Sequence, residues 1–131
     1  MKSNLLKFIM TLCSVFTISN ANEPTLKPVP FESIKEQIKG KPTMLEFGAE
    51  SCHSCVVMGK VLYKIKNNYK ENNVYFINVY NDTNIAMKYK VRMIPTQVFL
   101  DKNGDIIDKH IGMIKEEKLV EKLKKFNIIK G

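Results

Sequence analysis

Cys52 and Cys55 are separated by two residues, His53 and Ser54, within the stretch AESCHSC at residues 49–55. Thiols at that spacing can hold a metal, form an inert staple, or cycle between dithiol and disulfide. A structural zinc site needs four ligands, and beyond the two cysteines the obvious donors are His53 and the distant His110. No metal is therefore expected. Cu(I) is a softer case, because it favours thiolate and thioether. Of the seven methionines, Met58 follows the pair and Met93 lies two residues before Pro95. Methionines at helical and strand positions are more often core filler. A staple across so short a loop removes little chain entropy. A redox pair is the reading best supported, with a copper-binding module as an alternative.

Such a pair needs one sulfur that ionises easily and one that waits. The flanking elements supply this. The run PTMLEFGA, residues 42–49, reads as a short strand, apolar except for Glu46 and so covered on both faces. After Cys52 the period changes. Val57, Val61, Leu62, Ile65 and Tyr69 recur at helical spacing, which predicts an amphipathic helix from about 53 to 70. Cys52 then stands at a helix N-terminus, where unpaired N–H groups and the dipole favour an anion by about 0.3–1 kcal/mol. At about 1.4 kcal/mol per pKa unit, this lowers a thiol from about 8.5 to roughly 7.5. Protonated His53 pushes the same way. Cys55 sits one turn deeper and shielded. The outer sulfur can attack and the inner one can resolve the mixed disulfide.

The rest of the 131-residue chain fits one domain. Residues 1–21 have Lys2 and Lys7, then an uncharged apolar run, FIMTLCSVFTI, and a small-polar-small SNA. This is the layout of a secretory signal peptide, with cleavage expected after Ala21. The run is too short for a membrane span, which needs roughly 20 residues. Leu12 before Cys13 is unsuited to a lipoprotein signal. Residues 22–30, rich in proline, read as an extended linker to a domain over 31–131. Export puts the two remaining cysteines where disulfides persist. The formal charge is +8, and removing Lys2 and Lys7 with the signal leaves +6. The lysines are scattered along helices without an aromatic-plus-basic strip, so nucleic acid is not an expected partner.

Along the domain, FESIKEQIKG predicts a helix ended by Gly40. NVYFINVY predicts a strand. TNIAMKYKV predicts a short helix capped by Asp82 or Thr83. PTQVFL and IIDKHIG predict strands joined by an Asn-Gly hairpin. KEEKLVEKLKKF predicts a last helix with Leu119, Leu123 and Phe126 inward and no convincing N-cap. Strands joined through helices should be parallel and the final hairpin antiparallel. The fold class is thus α/β, a mixed central sheet with helices on both faces.

These segments together resemble the thioredoxin superfamily. MLEFGAESCHSC resembles its strand and active-site loop, and YKVRMIPTQVFLDKNGDIIDKHIG its later part, over about residues 31–128. The resemblance implies that Cys52 is the nucleophile and Cys55 the resolving cysteine. It puts Glu46 where the family has a buried carboxylic acid that exchanges a proton with Cys55, which agrees with the raised pKa expected of an acid in an apolar strand. It makes Ile94-Pro95 the cis-proline of a substrate groove that also takes in Met93, Thr96 and Gly112. The chain departs from the family in five ways: Ser51 replaces an aromatic residue, tryptophan is absent, His53-Ser54 replaces Gly-Pro, Gly59-Lys60 stand where the helix usually carries a kinking proline, and the family's first strand is absent or reduced to part of residues 24–30. His53 and Ser54 are the expected redox-tuning positions, and Gly59 an expected weak point of the helix. These departures suit a specialised exported thiol:disulfide interchange protein, a monomer needing no cofactor beyond its redox-active disulfide. Potentials in this fold span about −270 to −120 mV. The compact form resembles periplasmic reductases fed by a DsbD/CcdA-type membrane electron transporter, acting on protein thiols and disulfides such as those of apocytochrome c. A disulfide oxidase or isomerase, or a redox-inert adaptor, is the alternative.

Overall fold

Alternation of side chains along a strand divides the buried residues of the protein into two cores. The computed structural model describes residues 22–131, so the signal expected over 1–21, Cys13 included, lies outside the described residues. Strand β1 (Thr43–Gly48) is buried at every position. Leu45 and Phe47 point to one face, where they pack with Ile34, Ile77, Tyr89 and Val98. Met44 points to the other, against Met58, Leu62, Ile65, Phe99, Leu119 and Leu123. A strand apolar on both sides must be central, and β1 is flanked by β3 (Val74–Asn78) and β4 (Thr96–Leu100). The sheet order is β3-β1-β4-β5, with β5 (Ile106–Ile111) at one edge. A separate two-stranded ladder joins β2 (Glu71–Asn72) to β6 (Ile129–Lys130). That ladder had no sequence signal of its own.

The mixed α/β sheet is as expected, but one strand direction is not. β1 and β3 are parallel, whereas β4 runs antiparallel to β1 although a helix precedes it. The connection, residues 79–95 with α3 (Thr83–Lys88) inside it, is long enough for a crossover, but it is folded back on itself: the Asp82 N–H donates to the Asn78 carbonyl and the Val91 N–H to that of Ala86. The chain therefore enters β4 at the end of the sheet where it left β3.

The helices also differ in detail from expectation. The first, α1 (Phe31–Ile34), is a single turn followed by further turns up to Gly40, which has φ +71°. Asp82 precedes α3 but makes no side-chain cap there; its carboxylate accepts the Phe31 N–H at 3.3 Å and so caps α1. Helix α2 (His53–Asn68) is continuous through Gly59 and buries Cys55, Met58, Gly59, Leu62 and Ile65. Its inward stripe is thus rotated from the predicted one, leaving Val57, Val61 and Tyr69 half-buried. Helix α4 (Glu116–Lys125) has no side-chain N-cap and buries Leu119 and Leu123, while Phe126 lies half-buried with its ring 5.4 Å from Phe99.

Residues 22–30 are extended, as the prolines require, but they are fastened to the domain. The Leu26 N–H donates to the Gly59 carbonyl at 2.9 Å, and the Val29 N–H to that of Phe76 at 2.9 Å. Pro28 bridges Phe76 in parallel, extending the β3 edge. Gly59 is therefore a docking point and not a weak point: a Cβ there would collide with Thr25 Oγ1.

Candidate functional site

The cysteine pair sits where β1 hands the chain to α2. Cys52 occupies the N-cap position with extended backbone (φ −95°, ψ 116°), and its sulfur accepts the Cys55 N–H at 3.4 Å. Ser54 Oγ lies 3.3 Å from the same sulfur. Cys52 is half-buried, whereas Cys55 is fully buried. The two are paired as a disulfide with a Cα–Cα distance of 5.2 Å. His53 is exposed in the first turn of α2. Of the two expected tuning residues, Ser54 contacts the reactive sulfur and His53 faces solvent.

Gly48 explains how close the strand comes to the pair. A Cβ on Gly48 would lie 3.1 Å from both Cβ and Sγ of Cys55 and 2.8 Å from the Phe76 ring. Only glycine leaves that space. Met44, Glu46 and Gly48 share one face of β1, so Glu46 stands one pleat repeat, about 7 Å, behind the sulfur contact. Glu46 is fully buried. Burial lifts its carboxyl from 4.5 to about 8, and a hydrogen bond from Gln97 opposes the rise. Gln97 Nε2 donates to Glu46 Oε1 at 3.2 Å, while Glu46 Oε2 has no hydrogen-bond partner among the described residues. An acid that titrates near neutrality with one free oxygen can take up or release a proton.

The predicted groove residues gather at the same end of the sheet. Phe47 lies opposite Thr96, and one further step of that register brings Pro95 level with Gly48. The Ile94-Pro95 peptide is cis. The Gly112 N–H donates to the Pro95 carbonyl at 2.8 Å, and Gly112 has φ +95°. Met93 is 63% exposed beside half-buried Ile94. Thr96 is different: it is buried, and its hydroxyl donates to the Met93 carbonyl at 2.6 Å. It shapes the loop instead of lining an open surface. Ile111 and Met113, neither singled out from the sequence, are also exposed, at 57% and 58%, on either side of Gly112. Met58 belongs to the core, which removes it from the copper alternative.

The thioredoxin-like domain family matches residues 32–127, nearly all of the described domain. The chain belongs to the thioredoxin-like family. It is 33% identical over 85 residues to mitochondrial thioredoxin of Bos taurus, covering 64% of this chain and 51% of that protein. It is 38% identical over 76 residues to a Synechocystis protein named as a thiol:disulfide interchange protein TxlA homolog, covering 56% of this chain and 42% of the relative. The chain thus spans about half the length of the mitochondrial thioredoxins it matches. In three dimensions it is similar to the thioredoxin of Fasciola hepatica, with a TM-score of 0.64, 26% identity, and coverage of 73% and 90%. Within this thioredoxin-like frame, sequence reading missed Gly48 and Gln97. The signal for Gln97 was present: like Glu46, it is a polar residue interrupting an apolar strand.

Proposed function

We propose that this protein is a thiol:disulfide oxidoreductase acting on protein substrates through Cys52 and Cys55. The observation that carries it is the unequal burial of two bonded sulfurs at a helix N-terminus, on the strand face that holds Glu46. In the reductive direction, the Cys52 thiolate attacks a substrate disulfide and expels one substrate thiolate. Cys55 gives its proton to the Glu46 carboxylate, directly or through one water, and its thiolate attacks the Cys52 sulfur. The second substrate thiolate leaves and the Cys52–Cys55 bond closes. Two electrons pass to the substrate, and the closed form awaits a dithiol donor. Met93 and the loop at Pro95 present apolar surface and backbone to an extended substrate segment.

The basic, then apolar, start of the chain supports export to the periplasm, with residues 1–21 as the signal. The compact domain and its likeness to a TxlA homolog support a reductase supplied by a DsbD/CcdA-type membrane transporter, acting on exported thiols such as those of apocytochrome c. Among the described residues no helix is long and apolar enough to cross a membrane. Insulin reduction by the protein with dithiothreitol tests the activity. Cys52→Ser abolishes turnover, and Cys55→Ser accumulates mixed disulfides on Cys52. Turnover surviving in Cys52→Ser would refute the assignment.

A further inference from the structure

Gln97 is an expensive residue for its position. It is the second residue of β4 and fully buried, and its Oε1 has no hydrogen-bond partner among the described residues. Leaving a buried polar atom unpaired is destabilising, so stability alone would favour an apolar side chain here. Its amide nitrogen explains its presence. Nε2 carries two N–H groups. One reaches Glu46 Oε1 and the other the Gly112 carbonyl, both at 3.2 Å. A carbonyl can only accept. Rotating the amide by half a turn would set Oε1 against the Gly112 carbonyl, so that carbonyl locks the amide with its N–H toward Glu46. Glu46 and Gln97 are also directly opposed in the β1–β4 register.

We propose that Gln97 is a positioning residue for the acid–base step: held by Gly112, it fixes Glu46 by one oxygen and keeps the other free to exchange a proton with Cys55. The proposal rests on the redox reading of the pair and extends it to a residue on another strand. The Gly112 N–H bonds the Pro95 carbonyl, so the same glycine ties this device to the substrate groove.

Among the described residues no charged side chain competes for Glu46. Across the register, β3 offers Phe76 and β4 offers Gln97. Helix α2 offers Cys55. Beyond Gln97, β5 places His110, whose Nε2 lies 3.2 Å from the Met113 carbonyl, and Asp108, which is paired with Lys122 of α4. Burial and the Gln97 donor are the influences on the Glu46 carboxyl.

The test separates the two sulfur steps. Reduced protein mixed with 5,5′-dithiobis(2-nitrobenzoate) releases one chromophore when Cys52 attacks and a second when Cys55 resolves the adduct. Gln97→Met keeps the length of the side chain and removes the donor. Its first release should follow the wild-type pH profile. The pH midpoint of its second release should rise by about one unit, a roughly tenfold slowing at pH 7. In a Glu46→Gln background, Gln97→Met should add nothing to the second step. An unshifted second profile, or a shift that persists without Glu46, overturns the proposal. If Gln97→Met folds poorly, a carboxyl NMR titration of Glu46 in Gln97→Leu decides instead: a raised midpoint supports the proposal and an unchanged one ends it. Failure of the redox reading looks different, because the wild type itself would then release no second chromophore.

Discussion

Replacing Glu46 by glutamine should make the protein more stable, and by an amount that depends on pH. The folded carboxyl titrates at about 8 and its unburied counterpart at 4.5. Below 4.5 both the folded and unfolded chains hold the proton, and Glu46 costs nothing by ionising. Between 4.5 and about 8 the unfolded chain releases its proton while the folded one keeps it. The native state then binds more protons, so the free energy of unfolding falls as pH rises. Above about 8 both are ionised and the loss levels off. At about 1.4 kcal/mol per pH unit the full interval amounts to roughly 5 kcal/mol, of which about 3 kcal/mol is lost by pH 7. Glu46→Gln keeps the shape and removes the titration. Urea unfolding of the oxidised wild type and variant at pH 4, 7 and 9 measures the difference. The variant should gain on the wild type by an increment that grows with pH and levels off above about 8, while its resolving step slows. Stability curves that run parallel from pH 4 to 9 would show that Glu46 is not a buried acid and would remove it as the proton acceptor.

Two glycines give further predictions. Gly48→Ala forces a methyl to within 3.1 Å of the Cys55 sulfur and 2.8 Å of Phe76; it should cost about 1–3 kcal/mol by overpacking and slow resolution by Cys55, and wild-type unfolding midpoints would contradict that geometry. Gly59→Ala gains about 1 kcal/mol of helix propensity but evicts Thr25 and Leu26 from their seat on α2. Hydrogen exchange should find the Leu26 amide unprotected while β1 stays protected; a Leu26 amide as slow as in the wild type would refute the docking role of Gly59.

Much of this molecule was legible because its elements are locally consistent. The largely apolar β1, the helix beginning at His53 and the Asn-Gly turn each carry a signal within a few residues, and each appears within a residue or two of its predicted place. The misreadings all depended on distant parts of the chain. Asp82 sits where a cap for α3 belongs, yet its carboxylate serves Phe31, 51 residues away in sequence. The stripe predicted for α2 holds at Leu62 and Ile65, while Met58 and Gly59 are buried where Val57 and Val61 were expected, a shift set by packing against the sheet and residues 22–30. The direction of β4 follows from the turns that fold residues 79–95 back at the end of β3 and not from the helicity of α3. Proline explained why residues 22–30 are extended; nothing local revealed that Gly59 would receive them. Glu46 stood out as a polar break in an apolar strand and Gln97 was passed over although it makes the same kind of break; their partnership is a matter of register, which the sequence does not display.

The two sulfurs, chemically identical, are made unequal by one helical turn. At the N-cap, Cys52 has the Cys55 N–H at 3.4 Å and the Ser54 hydroxyl at 3.3 Å, both able to donate to a thiolate once the disulfide opens. Together with the helix dipole these donors favour the anion of the outer sulfur. Cys55 is fully buried against Gly48, where burial disfavours its anion. In the proposed mechanism the attack of the inner thiol therefore calls on a base inside the protein. On that face of the sheet the base at hand is Glu46, and an acid with an ordinary carboxylate pKa would be too weak a base to take the proton. The burial that makes Glu46 destabilising above pH 4.5 is thus the same property that suits it to the resolving step. On the proposed mechanism, stability and turnover pull this position in opposite directions, which accounts for a carboxylic acid in a strand buried at every position.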